Sequence, residues 1–243
     1  MARVPGQRVI AILGMHRSGT SSLAGSLEEH GLFLGEGDVG GKGQWNRKGN
    51  RESARLTRLH EQLLKANGGT WDRPPHQVDW SPEFKKRRDR FIRSRAARPV
   101  WGFKDPRTLL VIEGWRDALP ELEMVGTVRD PVAVAESLRR RRGDDDLHGW
   151  LELWFTYNER LLGLYQSRPF PIIDFDLPAE EYQRRLESLA AHLGLQRQRR
   201  SERFFEPSLR SAQETPTMEL PNEVRQLHGR LVTIAAEQDL APA

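Results

Sequence analysis

Arg8–Leu13 reads RVIAIL, a short run that is almost wholly apolar and rich in β-branched side chains. Unbroken apolarity over so few residues predicts a strand covered on both faces, as in a parallel sheet. The pattern changes after Gly14. Over Thr20–His30 the apolar residues Leu23 and Leu27 recur at helical spacing, and Gly31 supplies the stop. Strand-like stretches return at Val100–Lys104 (VWGFK), Met124–Arg129 (MVGTVR) and Phe170–Phe175 (FPIIDF). Helical patterns fill the intervals: Asn50–Ala66, Ser81–Arg95 with Ser81 as cap and Pro82 at its first position, the long amphipathic stretch Leu147–Gln166, and Ala179–Leu193 before Gly194. Two strand ends run straight into Asp-Pro, at Lys104-Asp105-Pro106 and Arg129-Asp130-Pro131. Asp caps helices and Pro suits the first helical position, so both junctions predict strand-to-helix turns.

Strands alternating with helices predict an α/β fold, a P-loop-like parallel sheet flanked by helices. No repeat, low-complexity tract or linker divides the chain, so it reads as a single domain over 1–243, with a loop and helical insertion at about 36–99 and a helical C-terminal part from about 178. The glycine-rich stretch Gly35–Gly49 and the Gly/Pro/Trp-containing stretch Asn67–Trp80 are loops. Ligands of such sheets sit outside the carboxyl ends of the strands. That puts the Gly14 loop, Lys104 and Arg129 along one crevice.

Composition narrows the class. A chain of 243 residues buries a sizeable core. Its 37% hydrophobic content and mean hydropathy of −0.67 describe a charge-rich globular protein. No run approaches the roughly 18 apolar residues of a spanning helix, and the N-terminus lacks a signal-peptide pattern. With no cysteine there is neither disulfide nor thiol chemistry, and a cytoplasmic location is the expectation. Lys and Arg total 38 against 34 acidic residues, and the basic residues cluster at Lys85–Arg98 and Arg139–Arg142. Acidic residues are spread throughout and aromatics do not interleave with the basic runs, so solvated helix faces are the better reading than nucleic-acid binding. An anionic ligand is the third reading.

The chemistry concentrates after the first strand. Gly14-Met15-His16-Arg17-Ser18-Gly19-Thr20-Ser21, between strand and helix, has the topology of a phosphate-binding loop, whose backbone N–H groups and helix N-terminus suit an anion. The spacing approaches G-x-x-x-x-G-K-[ST], but Thr20 stands at the lysine position, which weighs against nucleoside triphosphate hydrolysis. A P-loop kinase-like nucleotide-binding protein remains the alternative reading.

GMHRSGTSSLAGSL resembles the 5′-phosphosulfate loop of sulfotransferases that use 3′-phosphoadenosine 5′-phosphosulfate (PAPS). VRDPVAVAESLRRR resembles the family's 3′-phosphate motif, with Arg129 and Ser137 eight positions apart, and WGFKDPR resembles the lysine-bearing strand of bacterial and carbohydrate- or tyrosyl-type relatives. The resemblance runs over Val9–Arg142, somewhat more than half the chain. It implies the sulfotransferase fold and metal-free, in-line transfer of a sulfuryl group from PAPS to a hydroxyl or amine, leaving adenosine 3′,5′-bisphosphate. The acceptor would be a small molecule, carbohydrate or lipid. It further implies that Gly14, His16, Arg17, Ser18, Gly19, Thr20, Ser21, Arg129 and Ser137 bind the nucleotide. Arg17 and Lys104 would neutralise the oxygen on which charge develops.

Two departures matter. The catalytic His of the steroid and phenol sulfotransferases lies two residues beyond the matching lysine, where this chain has Pro106. The C-terminal R-K-G-x-x-G-D-W loop is also missing, with Arg199, Arg200, Arg203 and Arg210 as possible substitutes. Carbohydrate- and tyrosine-type members use a Glu after the first helix, which makes Glu36, Asp38, Glu52 and His60 the candidate bases. Glu52 is preferred, because Asn46–Glu52 resembles the N-x-x-G-x-x-E stretch of bacterial relatives, and it is expected at the start of the Asn50–Ala66 helix. The histidines show no metal-ligand spacing. Asp144-Asp145-Asp146 with His148 reads as an exposed capping loop. Trp45, Trp71, Trp80 and Trp115 suit a pocket, the core or a lid.

Overall fold

The computed structural model describes residues 6–35, 48–197, 203–206 and 218–240. Four strands, β1 (Arg8–Leu13), β2 (Val100–Lys104), β3 (Glu123–Val128) and β4 (Ile172–Asp174), form a sheet in the order β2-β1-β3-β4. All pairings are parallel, with Ile12 opposite Lys104 and Leu13 opposite Gly126, so the carboxyl ends of β2, β1 and β3 finish side by side. Eight helices are described: α1 (Thr20–Glu29), α2 (Ala54–Ala66), α3 (Pro82–Arg93), α4 (Thr108–Ala118), α5 (Pro131–Arg142), α6 (Leu147–Ser167), α7 (Ala179–His192) and α8 (Asn222–Glu237). Among the described residues no helix is long and apolar enough to cross a membrane.

The unbroken apolar run of β1 has a direct cause. Successive strand residues face opposite sides, and both sides carry core. Val9, Ala11 and Leu13 join a cluster with α2, α4, α5, α6 and α8, whereas Ile10 and Ile12 pack against α1 and α7. The first cluster is aromatic at its centre, where Trp101, Phe103 and Trp115 are almost fully buried. Trp80 belongs here too, edge-on to Trp115 at 6.1 Å, so Trp80 and Trp115 are core residues.

The Asp-Pro junctions separate into two cases. Asp130 caps α5 as the sequence suggests, its Oδ1 accepting from Ala133 N at 2.8 Å, with Pro131 in the first turn. Asp105 does not cap α4: the cap position is Arg107, and the Asp105 carboxylate turns inward to accept from the Arg107 backbone N–H and guanidinium, both at 3.0 Å. A buried cation partner thus displaces the local capping role. Strand and helix ends also shift slightly. Arg129 lies just beyond β3, and α2 starts at Ala54, leaving Glu52 outside the helix rather than in its first turn. The Asp144–Asp146 stretch is a capping loop as expected, with Asp146 accepting from Gly149 N at 2.9 Å.

Candidate active site

β1 delivers the chain into a loop that only glycine-rich sequence can follow. Gly14 has φ 149°, and a Cβ there would come within 2.9 Å of the Thr127 carbonyl and 2.8 Å of the Thr20 methyl. Gly19, the cap residue of α1, has φ 83° and the Phe175 ring directly over it. Arg17 between them is also left-handed, at φ 69°. These values reverse the chain, and Thr127 Oγ1 locks it by donating to the Ser18 carbonyl at 2.9 Å. The first turn of α1 carries no acidic side chain, and the buried Ser18 and Ser22 hydroxyls have no hydrogen-bond partner among the described residues. Amides, orphaned hydroxyls and a helix N-terminus together fit a phosphate or sulfate group. Thr20, at the position of the P-loop lysine, is buried and packs against Gly14.

Beside this loop, β2 ends in Lys104, which is 1% exposed. Its Nζ donates to Glu52 Oε1 at 2.7 Å and to Ser21 Oγ at 3.1 Å. Burial pushes the Lys104 pKa down, and the Glu52 carboxylate opposes that push. Ser21 in turn donates to the Asn50 carbonyl at 3.2 Å, joining loop, strand end and the segment before α2. That segment turns sharply at Gly49 (φ 88°) and Arg51 (φ 56°), and Arg51 is anchored on Glu28 at 3.1 Å.

On the β3 side, Arg17 Nε donates to Ser137 Oγ at 2.8 Å, and Arg129 Nη1 donates to the Arg17 carbonyl at 3.0 Å. Arg129 is oriented by Asp176 at 3.6 Å, and its guanidinium lies 5.1 Å from the Phe175 ring centre. Its own carbonyl accepts from Trp154 Nε1 at 3.0 Å, so α6 holds it as well. Burial lowers the Arg17 pKa to about 10, and the neighbouring Arg141, Arg129 and Arg140 push in the same direction. Three residues 8 to 120 positions apart in sequence thus form one cationic corner around a hydroxyl.

His16, next in the loop, lies with its ring 4.3 Å from Trp71 and 6.2 Å from Tyr157. Burial pushes its imidazole pKa well down, the Arg107 charge adding to the effect, so His16 is neutral near pH 7. Trp71 stacks on Trp150 at 6.2 Å and is tied down by the Tyr157 hydroxyl, which donates to its carbonyl at 2.8 Å. In this aromatic cluster beside the loop, Trp150 and Tyr157 are the members that the sequence did not single out.

Of the candidate bases, His60 is removed. It is fully buried, with Nδ1 against Asp105 Oδ2 at 3.2 Å and Nε2 accepting from Trp115 Nε1 at 3.0 Å. An indole N–H only donates, so Nε2 is the acceptor and the ring proton sits on Nδ1, shared with Asp105. Both nitrogens are spoken for. Burial alone would raise the Asp105 carboxyl, but the His60 hydrogen bond and the Arg107 guanidinium hold it well below the usual carboxylate range. Glu36, Asp38, Trp45, Arg199, Arg200 and Arg210 lie outside the described residues, while Arg203 is described and its carbonyl accepts from Lys48 Nζ at 2.5 Å. Among the described residues no three His, Asp or Glu side chains converge as metal ligands.

Every loop residue singled out in the sequence, with Lys104, Glu52, Arg129 and Ser137, therefore meets at the carboxyl edge of the sheet. Among solved structures, the sulfotransferase domain of the Synechococcus PCC 7002 olefin synthase matches at TM-score 0.61 and 17% identity, over 93% of this chain and 94% of that one. Sulfotransferases of Alicyclobacillus acidocaldarius and Mycobacterium tuberculosis H37Rv align at 16% and 14% identity with TM-scores of 0.49 and 0.45, each over 96% of this chain and over 97% and 74% of theirs. No family model and no curated protein matches the chain. The fold is that of a sulfotransferase domain: a parallel four-stranded α/β sheet flanked by helices.

Proposed function

We propose that the chain is a sulfotransferase that moves a sulfuryl group from PAPS to a hydroxyl or amine acceptor. The observation that supports this reading is that the glycine loop carries the Lys104–Glu52 pair on one side, through Ser21, and the Arg17–Ser137–Arg129 corner on the other, at the carboxyl edge of the sheet. PAPS, when bound, supplies the activated sulfuryl group and a nucleotide handle. The loop from Gly14 to Ser21, with the Ser18 hydroxyl, is suited to its 5′-phosphosulfate. Arg129 and Ser137 are suited to its 3′-phosphate, a guanidinium fork beside a hydroxyl being a good match to a phosphate dianion.

The chain's own residues have distinct tasks in this reading. Glu52 takes the proton of the attacking acceptor at its carboxylate, as general base. Lys104, held against Glu52 and shielded from water, neutralises negative charge as it grows in the transition state, and a dry site strengthens that effect. Arg17 acts likewise from the loop. Ser21 keeps the Lys104 ammonium aligned.

The test is a pair of titrations and a transfer assay. Calorimetry should show adenosine 3′,5′-bisphosphate binding and no comparable binding of Mg-ATP. Labelled PAPS should pass its label to a member of a carbohydrate, phenolic and lipid acceptor panel. Binding of Mg-ATP without binding of the bisphosphate would overturn this reading in favour of a kinase-like nucleotide-binding protein. The packing of Thr20 where that class has its lysine argues against such an outcome.

A further inference from the structure

Helix α5 ends in four consecutive arginines, and their partners differ. Arg139 pairs with Glu136 at 3.1 Å and Asp145 at 3.0 Å, and Arg140 pairs with Glu136 at 3.6 Å. Arg142 pairs with Asp72 and stands 5.1 Å over the Trp71 ring. Arg141 has no carboxylate, hydrogen-bond or ring partner among the described residues. It is also the arginine of the four that follows Ser137 by one turn, four positions on, and so shares the helix face that Ser137 turns toward Arg17. Arg141 is exposed, and since helix side chains lean back toward the N-terminus its guanidinium has the reach to extend along the Ser137 face of α5. Its charge is felt by both loop residues there: it leads the cationic neighbours that lower Arg17, and it also acts on His16.

Arg141 lies about 5.4 Å farther along the axis than Ser137. That displacement carries it past the Arg129–Ser137 corner to the side where Arg142, Trp71 and His16 form a wall. The geometry points to Arg141 as the residue that recognises an anionic group on the acceptor, a carboxylate or a phosphate or sulfate ester. This rests on the sulfotransferase reading. An anionic acceptor gives this exposed guanidinium a charge-assisted pair, whereas a neutral acceptor gives it none.

The experiment uses the full chain saturated with adenosine 3′,5′-bisphosphate, so that the nucleotide's own anion sites are filled. Calorimetry then compares 4-hydroxyphenylacetate with 4-hydroxyphenylacetamide, and glucose 6-phosphate with glucose, in the wild type, in Arg141→Gln and in Arg141→Lys. The expected result is at least a tenfold margin for the anionic member of at least one pair in the wild type. Arg141→Gln should abolish that margin, Arg141→Lys should restore part of it, and bisphosphate affinity should change less than threefold in both. Absence of a margin in both pairs, or a margin that survives in Arg141→Gln, overturns the inference. So does a tenfold loss of bisphosphate affinity in Arg141→Gln, because Arg141 would then be a nucleotide ligand. Failure of the wild type to bind the bisphosphate strikes the sulfotransferase reading itself, and is seen in the first titration before any acceptor is added.

Discussion

A charged lysine with 1% of its surface exposed is expensive to bury, and Glu52 at 2.7 Å is what makes it tolerable. The same contact gives Glu52 two possible duties, taking a proton and holding Lys104, and these are separable. Glu52→Gln should leave bisphosphate affinity within about twofold but lower kcat roughly a hundredfold, the usual scale for losing a general base. In a Lys104→Met background, removal of Glu52 should still cost most of that factor. A double mutant no slower than Lys104→Met alone would reduce Glu52 to a counter-ion. Arg129 answers to a different measurement. Arg129→Ala should erase most of the preference for adenosine 3′,5′-bisphosphate over adenosine 5′-monophosphate, on the order of 2–4 kcal/mol for a charge-assisted pair. Equal affinity of the wild type for the two nucleotides would refute the 3′-phosphate assignment.

The elements matter because the candidate site residues lie at or just beyond their ends: Lys104 closes β2, Arg129 follows β3 and Glu52 precedes α2. The turn from β2 to α4 has to present Lys104 to the crevice, and it is held from beneath by Asp105, His60, Arg107 and Trp115. A carboxyl whose folded-state pKa is depressed contributes stability that is fully present above its unfolded value of about 3.9 and lost as pH falls below it. Asp105 is such a group, so the wild type should lose stability as pH falls below about 4. Asp105→Asn should flatten that part of the curve and cost roughly 3–5 kcal/mol at neutral pH, since it leaves Arg107 short of its buried partner. Urea unfolding from pH 2.5 to 7 measures both, and an unchanged acid slope would show that the carboxylate does not carry this linkage. At the start of α1, Gly19→Ala forces a Cβ into a left-handed turn under the Phe175 ring. The conformational cost alone is about 1–2 kcal/mol, and the expected functional result is loss of bisphosphate binding in calorimetry with α/β secondary structure retained by circular dichroism.

At the scale of the molecule, the crevice joins elements from both halves of the chain. The loop after β1, the ends of β2 and β3, and α5 meet only when the sheet is assembled. A ligand that bridges them should therefore stabilise the whole domain. At a hundredfold excess over its dissociation constant, a ligand of the folded state adds about 2.7 kcal/mol, and for a chain of this size each kcal/mol moves Tm by roughly 2–4 °C. Adenosine 3′,5′-bisphosphate should thus raise Tm by roughly 5–10 °C, and Arg129→Ala should remove most of the rise. A thermal scan with no shift at saturating nucleotide would contradict this coupling.

Much of this was written locally in the chain. The apolar run of β1 is unbroken because both its faces are covered, and that periodicity is visible without a structure. The Gly14–Ser21 loop was legible because a reversal through left-handed backbone demands glycine where a Cβ has no room. Asp130-Pro131 was legible because a cap acts within three residues. The other Asp-Pro pair was not. Asp105 has the same local sequence, yet its carboxylate went to Arg107 and His60, and the latter lies 45 positions away. The pairing of Glu52 with Lys104 across 52 positions, the removal of His60 into the core, and the meeting of Arg17 with Ser137 across 120 positions follow the same logic. Backbone propensity and capping act over a turn or two, so the sequence determines them by itself. A buried charge must find its partner wherever the chain brings one close, and only the order β2-β1-β3-β4 decides which residues those are.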